Sequence, residues 1–242
     1  MIILRSDVIV VTAEDWSGKR MEEKTKKEMA EAVIAAGQRM LESNLTVETW
    51  GNISVRTEEG IICITPSGMS YQEITPGDLV FLDPEGKVCE GSRIPSIETQ
   101  MHVKIYQNRP DVYAILHTHP VASTVFGVLR KPIPVITDEI AQAIGGEISV
   151  ADYALPGTVL LAENTVKALG EKNACLLANH GAVCVGKDLN ACFKATIVLE
   201  TSAEIYQKAL AVSGCEPVEL KEDDVKAMYD FAQNHYGQRE RR

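Results

Sequence analysis

Residues 113–119 read YAILHTH, an apolar segment that runs directly into two histidines. The run from Tyr113 to Leu116 is typical of a buried strand. Side chains two residues apart on a strand point to the same face, so His117 and His119 can converge on one metal ion. Catalytic zinc sites use three protein ligands and keep a further position open, so another ligand must come from elsewhere in the chain.

The third ligand that the sequence offers is His180, in the segment Asn179-His180-Gly181. This segment is predicted to be a sharp turn between two apolar strands, 174–177 and 181–185. Glycine after the histidine allows another stretch of backbone to approach closely. The alternative is that all three histidines are hydrogen-bonded residues at strand ends. A single His-x-His pair favours that alternative, and the third histidine in a turn favours a metal site.

The chain has two further histidines, His102 and His235. His102 follows Glu98 by four residues in a predicted helix, which places both on one helical face. We therefore interpret His102 as a structural partner of the Glu98 carboxylate. The sequence shows no partner for His235.

Helical and strand patterns alternate along the rest of the chain, which predicts an α/β fold. The predicted helices cover 19–43, 96–108, 120–128, 138–144, 163–169, 189–212 and 223–235, with Ser96 as the N-cap of the second. The predicted strands cover 53–55, 61–64, 79–82, 87–89, 113–116, 147–150, 174–177 and 181–185. Since no repeat or linker is visible, we expect one domain over residues 1–242, with residues 1–21 as an N-terminal extension.

The amino-acid composition and net charge disfavour some classes of binding partner and leave others open. The 242 residues are 45% apolar, which is enough for a sizeable core, and carry a formal charge of −10. That charge argues against nucleic acid and anionic membranes as partners, because both require clustered lysine and arginine. It does not exclude an anionic small molecule, since backbone amides and hydroxyls can hold a phosphate.

The spacing of the cysteines and the character of the N-terminal residues predict that the protein resides in a reducing compartment. The six cysteines form no C-x-x-C pair, and several lie in apolar runs, so we expect buried free thiols. The apolar start is short, is interrupted by Arg5 and Asp7, and lacks a signal-peptide cleavage site. No apolar stretch is long enough to span a bilayer. We therefore expect a cytoplasmic protein.

Several short motifs together resemble the class II aldolase/adducin family, and within it the sugar-phosphate aldolases. The resemblance extends from about Glu22 to Arg239 and depends on the order of the motifs, which is more specific than any one of them. The motifs are Thr49-Trp50-Gly51-Asn52-Ile53-Ser54, Thr65-Pro66-Ser67-Gly68, Pro95-Ser96-Ile97-Glu98, Arg109-Pro110-Asp111, His117-Thr118-His119 and Asn179-His180-Gly181.

The resemblance implies a fold and a set of site residues. The implied fold is a three-layer α/β/α structure around a central, mostly antiparallel sheet, assembled as a homotetramer with sites at subunit interfaces. The implied cofactor is Zn²⁺, or another divalent cation, on His117, His119 and His180. Glu98 would ligate the metal in the resting enzyme and act as the base during turnover. The implied substrate-binding positions are Gly51, Asn52, Ser67, Gly68 and Ser96.

Two positions depart from the pattern of the family's aldolases. Where these aldolases usually have a second serine before the glutamate, this chain has Ile97, which removes a hydroxyl from the phosphate site. Where they have a tyrosine as proton donor, this chain has Asp138. A carboxyl group is far more acidic than a phenol, with a pKa of about 4 against about 10, so it donates a proton at neutral pH only when burial raises its pKa. Tyr236 resembles a C-terminal tyrosine that reaches into the aldolase site.

Three hypotheses of function follow. The first is a zinc-dependent aldolase that cleaves a ketose 1-phosphate to dihydroxyacetone phosphate and an aldehyde through a metal-stabilised enediolate, and Glu98 and Tyr236 favour it. The second is a 4-epimerase, a dehydratase of the methylthioribulose-1-phosphate type or a decarboxylase on the same metal core, which Ile97 and Asp138 favour. The third is a metal-free interaction module, which predicts loss of the ligands.

Overall fold

The computed structural model describes residues 22–212, 215 and 217–236, so the predicted extension, residues 1–21, lies outside the described residues. The helices are α1 (Glu23–Glu42), α2 (Thr99–Asn108), α3 (Val121–Leu129), α4 (Asp138–Ala143), α5 (Val159–Leu169), α6 (Leu189–Leu210) and α7 (Glu222–Asn234). The strands are β1 (Asn52–Arg56), β2 (Ile62–Ile64), β3 (Val80–Leu82), β4 (Val88–Glu90), β5 (Ala114–Thr118), β6 (Val150–Ala151), β7 (Ala174–Leu177) and β8 (Ala182–Gly186).

The strands form an eight-stranded sheet in the order β4-β3-β2-β1-β5-β8-β7-β6. Neighbouring strands are antiparallel except for β6 and β7, which pair in parallel. This arrangement confirms the predicted central, mostly antiparallel sheet. β5 pairs with β1 on one side and β8 on the other, so it lies in the interior of the sheet.

Apolar side chains project from both faces of the sheet and form two hydrophobic cores. On β5, Ala114 and Leu116 point into the core that packs against α1, α3, α4, α6 and α7. Ile115 points into the opposite core, which packs against α2 and α5. Burying one such side chain contributes about 1.5–3 kcal/mol, so a strand that is apolar on both faces is strongly held in the centre of the fold. The predicted three-layer α/β/α architecture is confirmed.

The alternation along β5 decides where the first histidine points. His117 is two residues after Ile115 and therefore lies on the sheet face covered by α2 and α5. The strand ends at Thr118, so His119 lies just beyond it, and its backbone N–H donates to the carbonyl of Leu45 at 2.9 Å. The prediction that strand pleating alone brings both histidines to one face is therefore wrong by one residue.

The predicted start of α2 is also wrong. The helix begins at Thr99, and Glu98 takes the N-cap position that was assigned to Ser96. The backbone N–H of Ser96 donates to the carbonyl of Thr65 at 3.1 Å, which holds Ser96 against the neighbouring loop instead. α5 begins earlier than predicted, at Val159, because the Thr158 hydroxyl caps it by accepting from the N–H of Leu161 at 3.2 Å. The strand predicted at 147–150 forms only at Val150–Ala151.

Among the described residues, no helix combines the length and the apolar character needed to cross a membrane. The six cysteines are free, as predicted, but only four of them are buried: Cys63, Cys175, Cys184 and Cys192. Cys89 and Cys215 are exposed, which corrects the expectation for these two thiols. Burial raises the pKa of the Cys184 thiol to about 12.

We expect two thiols of the native protein to react rapidly with Ellman's reagent at pH 8, because only Cys89 and Cys215 are exposed. The four buried thiols should react only after unfolding in guanidinium chloride, since a shielded, protonated thiol is not nucleophilic. The Cys89→Ser variant should lose one fast-reacting thiol and none of the slow ones. Rapid labelling of more than two thiols in the folded protein would contradict this assignment.

Candidate metal centre

Three histidines from distant parts of the chain meet at one point. The ligand nitrogens of His117, His119 and His180 all lie within 4.8 Å of one another. The Nε2 atoms of His117 and His119 are 3.0 Å apart. Ring centroids are separated by 4.7 Å for His117 with either partner and by 5.1 Å for His119 with His180. The predicted convergence of the three imidazoles is present in a single chain.

The strand pairing of β5 orients the His117 ring. His117 is fully buried, and its Nδ1 lies 3.0 Å from the carbonyl oxygen of Ala182 on β8. A carbonyl can only accept, so Nδ1 carries the proton and donates, which leaves Nε2 as the atom that faces the cluster. Metal-ligating histidines commonly use one nitrogen in this way to fix the ring and the tautomer.

The turn that carries His180 contains a residue in an uncommon backbone conformation. Asn179 is in the left-handed conformation with φ 55°, and the His180 N–H donates to the carbonyl of Leu177 at 3.1 Å. A Cβ atom at Gly181 would lie 2.3 Å from the carbonyl oxygen of Thr118. Only glycine permits this approach, so the predicted role of Gly181 in bringing His180 to the strand end of β5 is confirmed.

Glu98, the residue directly before α2, completes the cluster. The side chain is almost fully buried, with Oε2 3.1 Å from Nε2 of His117 and Oε1 3.5 Å from Nε2 of His180. The Asn52 side-chain amide donates to Oε2 at 2.8 Å. Within the described structure, Oε1 has no hydrogen-bond partner although it is buried.

The electrostatic environment keeps two of the three imidazoles neutral. Burial, reinforced by the charge on His117, lowers the pKa of His119 to about 3 and that of His180 to about 4. The pair of His117 and Glu98 behaves differently. Burial alone would raise the pKa of the Glu98 carboxyl, but the charge on His117 holds it well below its usual range. Burial alone would lower the pKa of His117, but the Glu98 carboxylate raises it.

These residues fit a divalent metal ion. Neutral imidazoles and a carboxylate are the ligand types that suit zinc and similar divalent ions. Nitrogens bound to one tetrahedral zinc ion lie roughly 3.3 Å apart, close to the 3.0 Å between the two facing Nε2 atoms. The unpartnered Glu98 Oε1 is a buried acceptor that an ion could satisfy. The metal-free hypothesis predicts loss of these ligands, and all four side chains are present and converge.

Gly51 and Asn52 lie directly beside the ligands. Gly51 has φ +77°, and a Cβ atom there would lie 2.4 Å from the carbonyl oxygen of His117. Asn52 is the partner of His117 in the pairing of β1 with β5. Its side-chain oxygen lies 2.5 Å from Nε2 of His102, while its amide nitrogen holds Glu98. The predicted partnership of His102 with the Glu98 carboxylate is therefore not direct: His102 binds Asn52, and Asn52 binds Glu98.

Ser67, Gly68 and Ser96 belong to two loops that are hydrogen-bonded to each other next to Glu98. The Ser67 N–H donates to the carbonyl of Ile94 at 2.9 Å, so this amide is not free for an anion. Ser67 and Gly68 are exposed, and a Cβ atom at Gly68 would meet nothing within 4 Å. The Ser96 hydroxyl oxygen accepts from the Glu98 N–H at 3.3 Å and keeps its own proton available for donation.

The structure does not bring Tyr236 to the cluster of its own chain. Its exposed ring lies 5.6 Å from Nζ of Lys194, which lines a cleft with Gly186 at the far end of β8. His180 precedes the opposite end of that strand, about 13 Å away at about 3.3 Å per residue. Asp138 is an exposed residue in the first turn of α4. Neither has a described contact with the histidines.

Sequence reasoning assigned no role to Trp50. Its ring stacks on His119 with a centroid distance of 6.0 Å and an interplanar angle of 25°. Together with α3 it lines an open cleft of about 430 Å³ that reaches His119 and His180. The other lining residues are Pro120, Val121, Thr124, Val125, Val128 and Leu129. A tryptophan directly before Gly51-Asn52 was the available signal, but its partner His119 is distant in sequence.

Comparison with known proteins agrees with this geometry. Residues 31–207 match the family described as Class II Aldolase and Adducin N-terminal domain. A 5-methylthioribulose-1-phosphate/5-deoxyribulose-1-phosphate aldolase from Rhodospirillum rubrum is 37% identical over 198 residues, covering 82% of this chain and 88% of that protein. L-fuculose phosphate aldolase from Escherichia coli (strain K12) is 35% identical over 205 residues, covering 85% of this chain and 94% of that protein.

A solved structure of L-fuculose 1-phosphate aldolase superposes on this one with a TM-score of 0.82 and 38% sequence identity, covering 85% of this chain and 96% of that chain. The fold and the cluster define an α/β protein with three converging histidines that could hold a metal ion. The chain belongs to the class II aldolase/adducin family. The relatives just described are named as aldolases, which are lyases, and the chain is an enzyme of that class.

We expect binding of a divalent ion such as Zn²⁺ to release about one proton per chain at pH 6–7. His119 and His180 are already neutral there, whereas the Glu98 carboxylate raises the pKa of His117, so this ring keeps its second proton to higher pH than the other two and is the source of the proton that the metal displaces. Metal affinity should therefore rise with pH and level off above the pKa of His117. Calorimetric titration in buffers of different ionisation enthalpy measures the number of protons released.

The Glu98→Gln variant is the control for this measurement. It lacks the carboxylate that raises the pKa of His117, so its proton release at the same pH should be smaller. Release of two or three protons by the wild-type protein would show that His119 or His180 is charged in the metal-free state and would contradict the assignment.

Proposed function

We propose that this chain is a zinc-dependent aldolase that cleaves a ketose 1-phosphate to dihydroxyacetone phosphate and an aldehyde. One observation carries the proposal: a buried carboxylate oxygen without a hydrogen-bond partner, Glu98 Oε1, stands beside three converging imidazoles. A metal ion bound there would act as a Lewis acid that stabilises the negative charge of an enediolate. The names of the relatives support the same class of reaction.

Glu98 is the base in this proposal. Its second oxygen, Oε2, accepts from the Asn52 amide, so Oε1 is the atom free to receive a proton. The charge on His117 holds the pKa of this carboxyl well below its usual range, so the group is ionised at neutral pH. Proton transfer by a positioned side chain contributes typically about 10²–10⁴-fold to the rate, which sets the loss expected when this group is removed.

The phosphate is assigned to the two loops next to Glu98. Gly68 offers open backbone, and Ser67 and Ser96 offer hydroxyl donors. Such a nest of amides and hydroxyls binds an anion without a lysine. Both ends of the Asn52 side-chain amide already bind protein groups. Its role in binding substrate stays a prediction.

The cleft between Trp50 and α3 favours an aldehyde with an apolar end. Its walls include the exposed side chains of Val121, Val128 and Leu129, and it opens next to two of the metal ligands. A methyl or methylthio group could bury apolar surface there, at about 25 cal/mol per Å². The deoxy- and methylthio-sugar phosphates in the names of the relatives have such an end.

The second candidate function is a different reaction on the same core: a 4-epimerase, a dehydratase or a decarboxylase. Asp138 is the feature that favours it, because an acid stands where a phenol is expected. In the single chain this side chain is exposed, so the burial that a proton donor requires must come from a neighbouring subunit. Ile97 is 62% exposed and does not enter the cluster.

Assembly as a homotetramer with sites between subunits is part of the proposal. Tyr236 lies too far along its own chain's sheet to reach its own histidines. If it donates a proton, it must do so at the site of a neighbouring copy. A heterologous contact of this kind closes naturally into a ring of identical subunits.

Substrate turnover tests the proposed reaction. We expect the zinc-loaded protein to release dihydroxyacetone phosphate from at least one of L-fuculose 1-phosphate, 5-deoxyribulose 1-phosphate and 5-methylthioribulose 1-phosphate. Glu98→Gln should lower kcat by about 10²–10⁴-fold while the protein stays folded. Asp138→Asn should have only a modest effect on an aldolase. Formation of an epimer, a dehydrated or a decarboxylated product instead, abolished by Asp138→Asn, would select the alternative.

Mixed oligomers test whether Tyr236 acts between subunits. We expect His180→Asn and Tyr236→Phe each to be nearly inactive alone, the first through lost metal and the second through a lost proton donor. After unfolding and refolding as an equal mixture, about a quarter of the sites should combine an intact histidine cluster with an intact tyrosine from a neighbour. Activity that never exceeds the mean of the two variants would show that the tyrosine does not act across an interface.

A further inference from the structure

A row of buried polar side chains extends away from Glu98 between α2 and β1. Glu98 at the N-cap of α2 and His102 and Tyr106 within α2 are spaced four residues apart, which repeats about every 6 Å along a helix. On β1, Asn52 and Ser54 are two residues apart, which repeats about every 6.6 Å along a strand. The two spacings match, so helix and strand present polar groups to each other in register. We call these five residues the polar ladder, and all are at most 4% exposed.

Short hydrogen bonds connect the whole polar ladder. The Tyr106 hydroxyl lies 2.8 Å from Oγ of Ser54, which lies 2.6 Å from Nδ1 of His102. Nε2 of His102 lies 2.5 Å from Oδ1 of Asn52, whose amide nitrogen donates to Oε2 of Glu98 at 2.8 Å. Four polar contacts thus join Tyr106 to the carboxylate at the metal centre.

The charge of the carboxylate decides the direction of every bond in the ladder. An ionised carboxylate only accepts, so Asn52 presents its NH₂ group to Glu98 and its carbonyl oxygen to His102. That oxygen also only accepts, so His102 carries a proton on Nε2. Burial lowers the pKa of His102 to about 3, so the ring is neutral and Nδ1 is an acceptor. Ser54 must then donate to Nδ1, and Tyr106 must donate to Ser54.

We propose that His102 is a positioning residue for Glu98: its Nε2–H tautomer, selected by Ser54, orients the Asn52 amide so that Oε2 of Glu98 is held and Oε1 is left free. This inference rests on the proposed function in that it gives Oε1 the proton transfer. His102 does not touch the metal site or the substrate. It acts only through Asn52, whose carbonyl oxygen has no freedom to turn towards Glu98 while the His102 N–H binds it.

Determining the tautomer of the His102 ring tests the proposal directly, and this measurement does not depend on enzyme activity. We expect two-bond nitrogen–proton correlation spectra of the ¹⁵N-histidine-labelled wild-type protein to show His102 as the neutral Nε2–H form throughout pH 6–8. The His102→Gln variant identifies the signal by its absence. A ring protonated on Nδ1, or on both nitrogens, would reverse the ladder and overturn the proposal.

Kinetic variants test whether the orientation matters for Glu98. We expect His102→Leu to lower kcat by about 10–100-fold, the usual effect of removing a group that orients a ligand, with KM and zinc content unchanged. His102→Gln retains an amide N–H for Asn52 and should recover most of that loss. Ser54→Ala should lower kcat and give a mixture of His102 tautomers, because the donor to Nδ1 is gone.

Thr165→Val is the matched control. It also removes one fully buried hydroxyl, which donates to the Leu161 carbonyl at 2.7 Å within α5 and has no described hydrogen bond to the polar ladder. It should leave kcat and the His102 tautomer unchanged. Equal kcat losses in Thr165→Val and Ser54→Ala, or an unchanged kcat in folded His102→Leu, would overturn the positioning role. Failure of the wild-type protein to cleave any ketose phosphate would instead refute the proposed function, while the tautomer would still decide the ladder.

Discussion

The pairing of β5 with both β1 and β8 is the constraint on which the whole site depends. Its register sets Asn52 opposite His117 on one side and Ala182 opposite Thr118 on the other. Side chains alternate between the faces of a strand, so a slip of one residue would turn His117 into the opposite core. Apolar residues on both faces of β5 prevent that slip, because they would be exchanged between two differently shaped cores. The same apolar packing that stabilises the fold therefore aims the first ligand.

The polar residues of the site are buried in an otherwise apolar interior, and the structure compensates for their burial in specific ways. Glu98 and His117 lie 3.1 Å apart, and each favours the charged form of the other, so neither is an isolated buried charge. The polar ladder holds Glu98 Oε2, while Glu98 Oε1 and Nδ1 of His180 are buried without a hydrogen-bond partner in the described structure. Positive φ values at Gly51 and Asn179 bring backbone close to the ligands. Glycine adopts a positive φ without a steric penalty, and asparagine tolerates it better than most residues, so the residue types at these two positions suit the close approach.

Membership of the class II aldolase/adducin family explains the shared core, while the departures lie at its rim. The three histidines and Asn52 lie at strand ends or directly beside them, and Glu98 lies directly before the start of α2. Ile97 and Asp138 are both exposed in the single chain, in places that a neighbouring subunit could cover. Differences in substrate within such a fold are therefore expected to arise from exposed residues around a constant buried centre.

The hydrophobic pattern of the sequence by itself determined many of the helices and strands. A helix or a strand is recognised from residues that are only a few positions apart. The helices, the hairpin around His180 and the buried character of β5 were predictable, as was the set of three histidines. Tertiary structure alone decided the rest. Ser96 lost the N-cap position through a backbone bond to Thr65, thirty-one positions earlier. Asn52 came between Glu98 and His102, Trp50 came to stack on His119, and Tyr236 came to lie at the far end of the sheet. These contacts depend on the register between strands and on how helices cross them, and no short stretch of sequence carries that information.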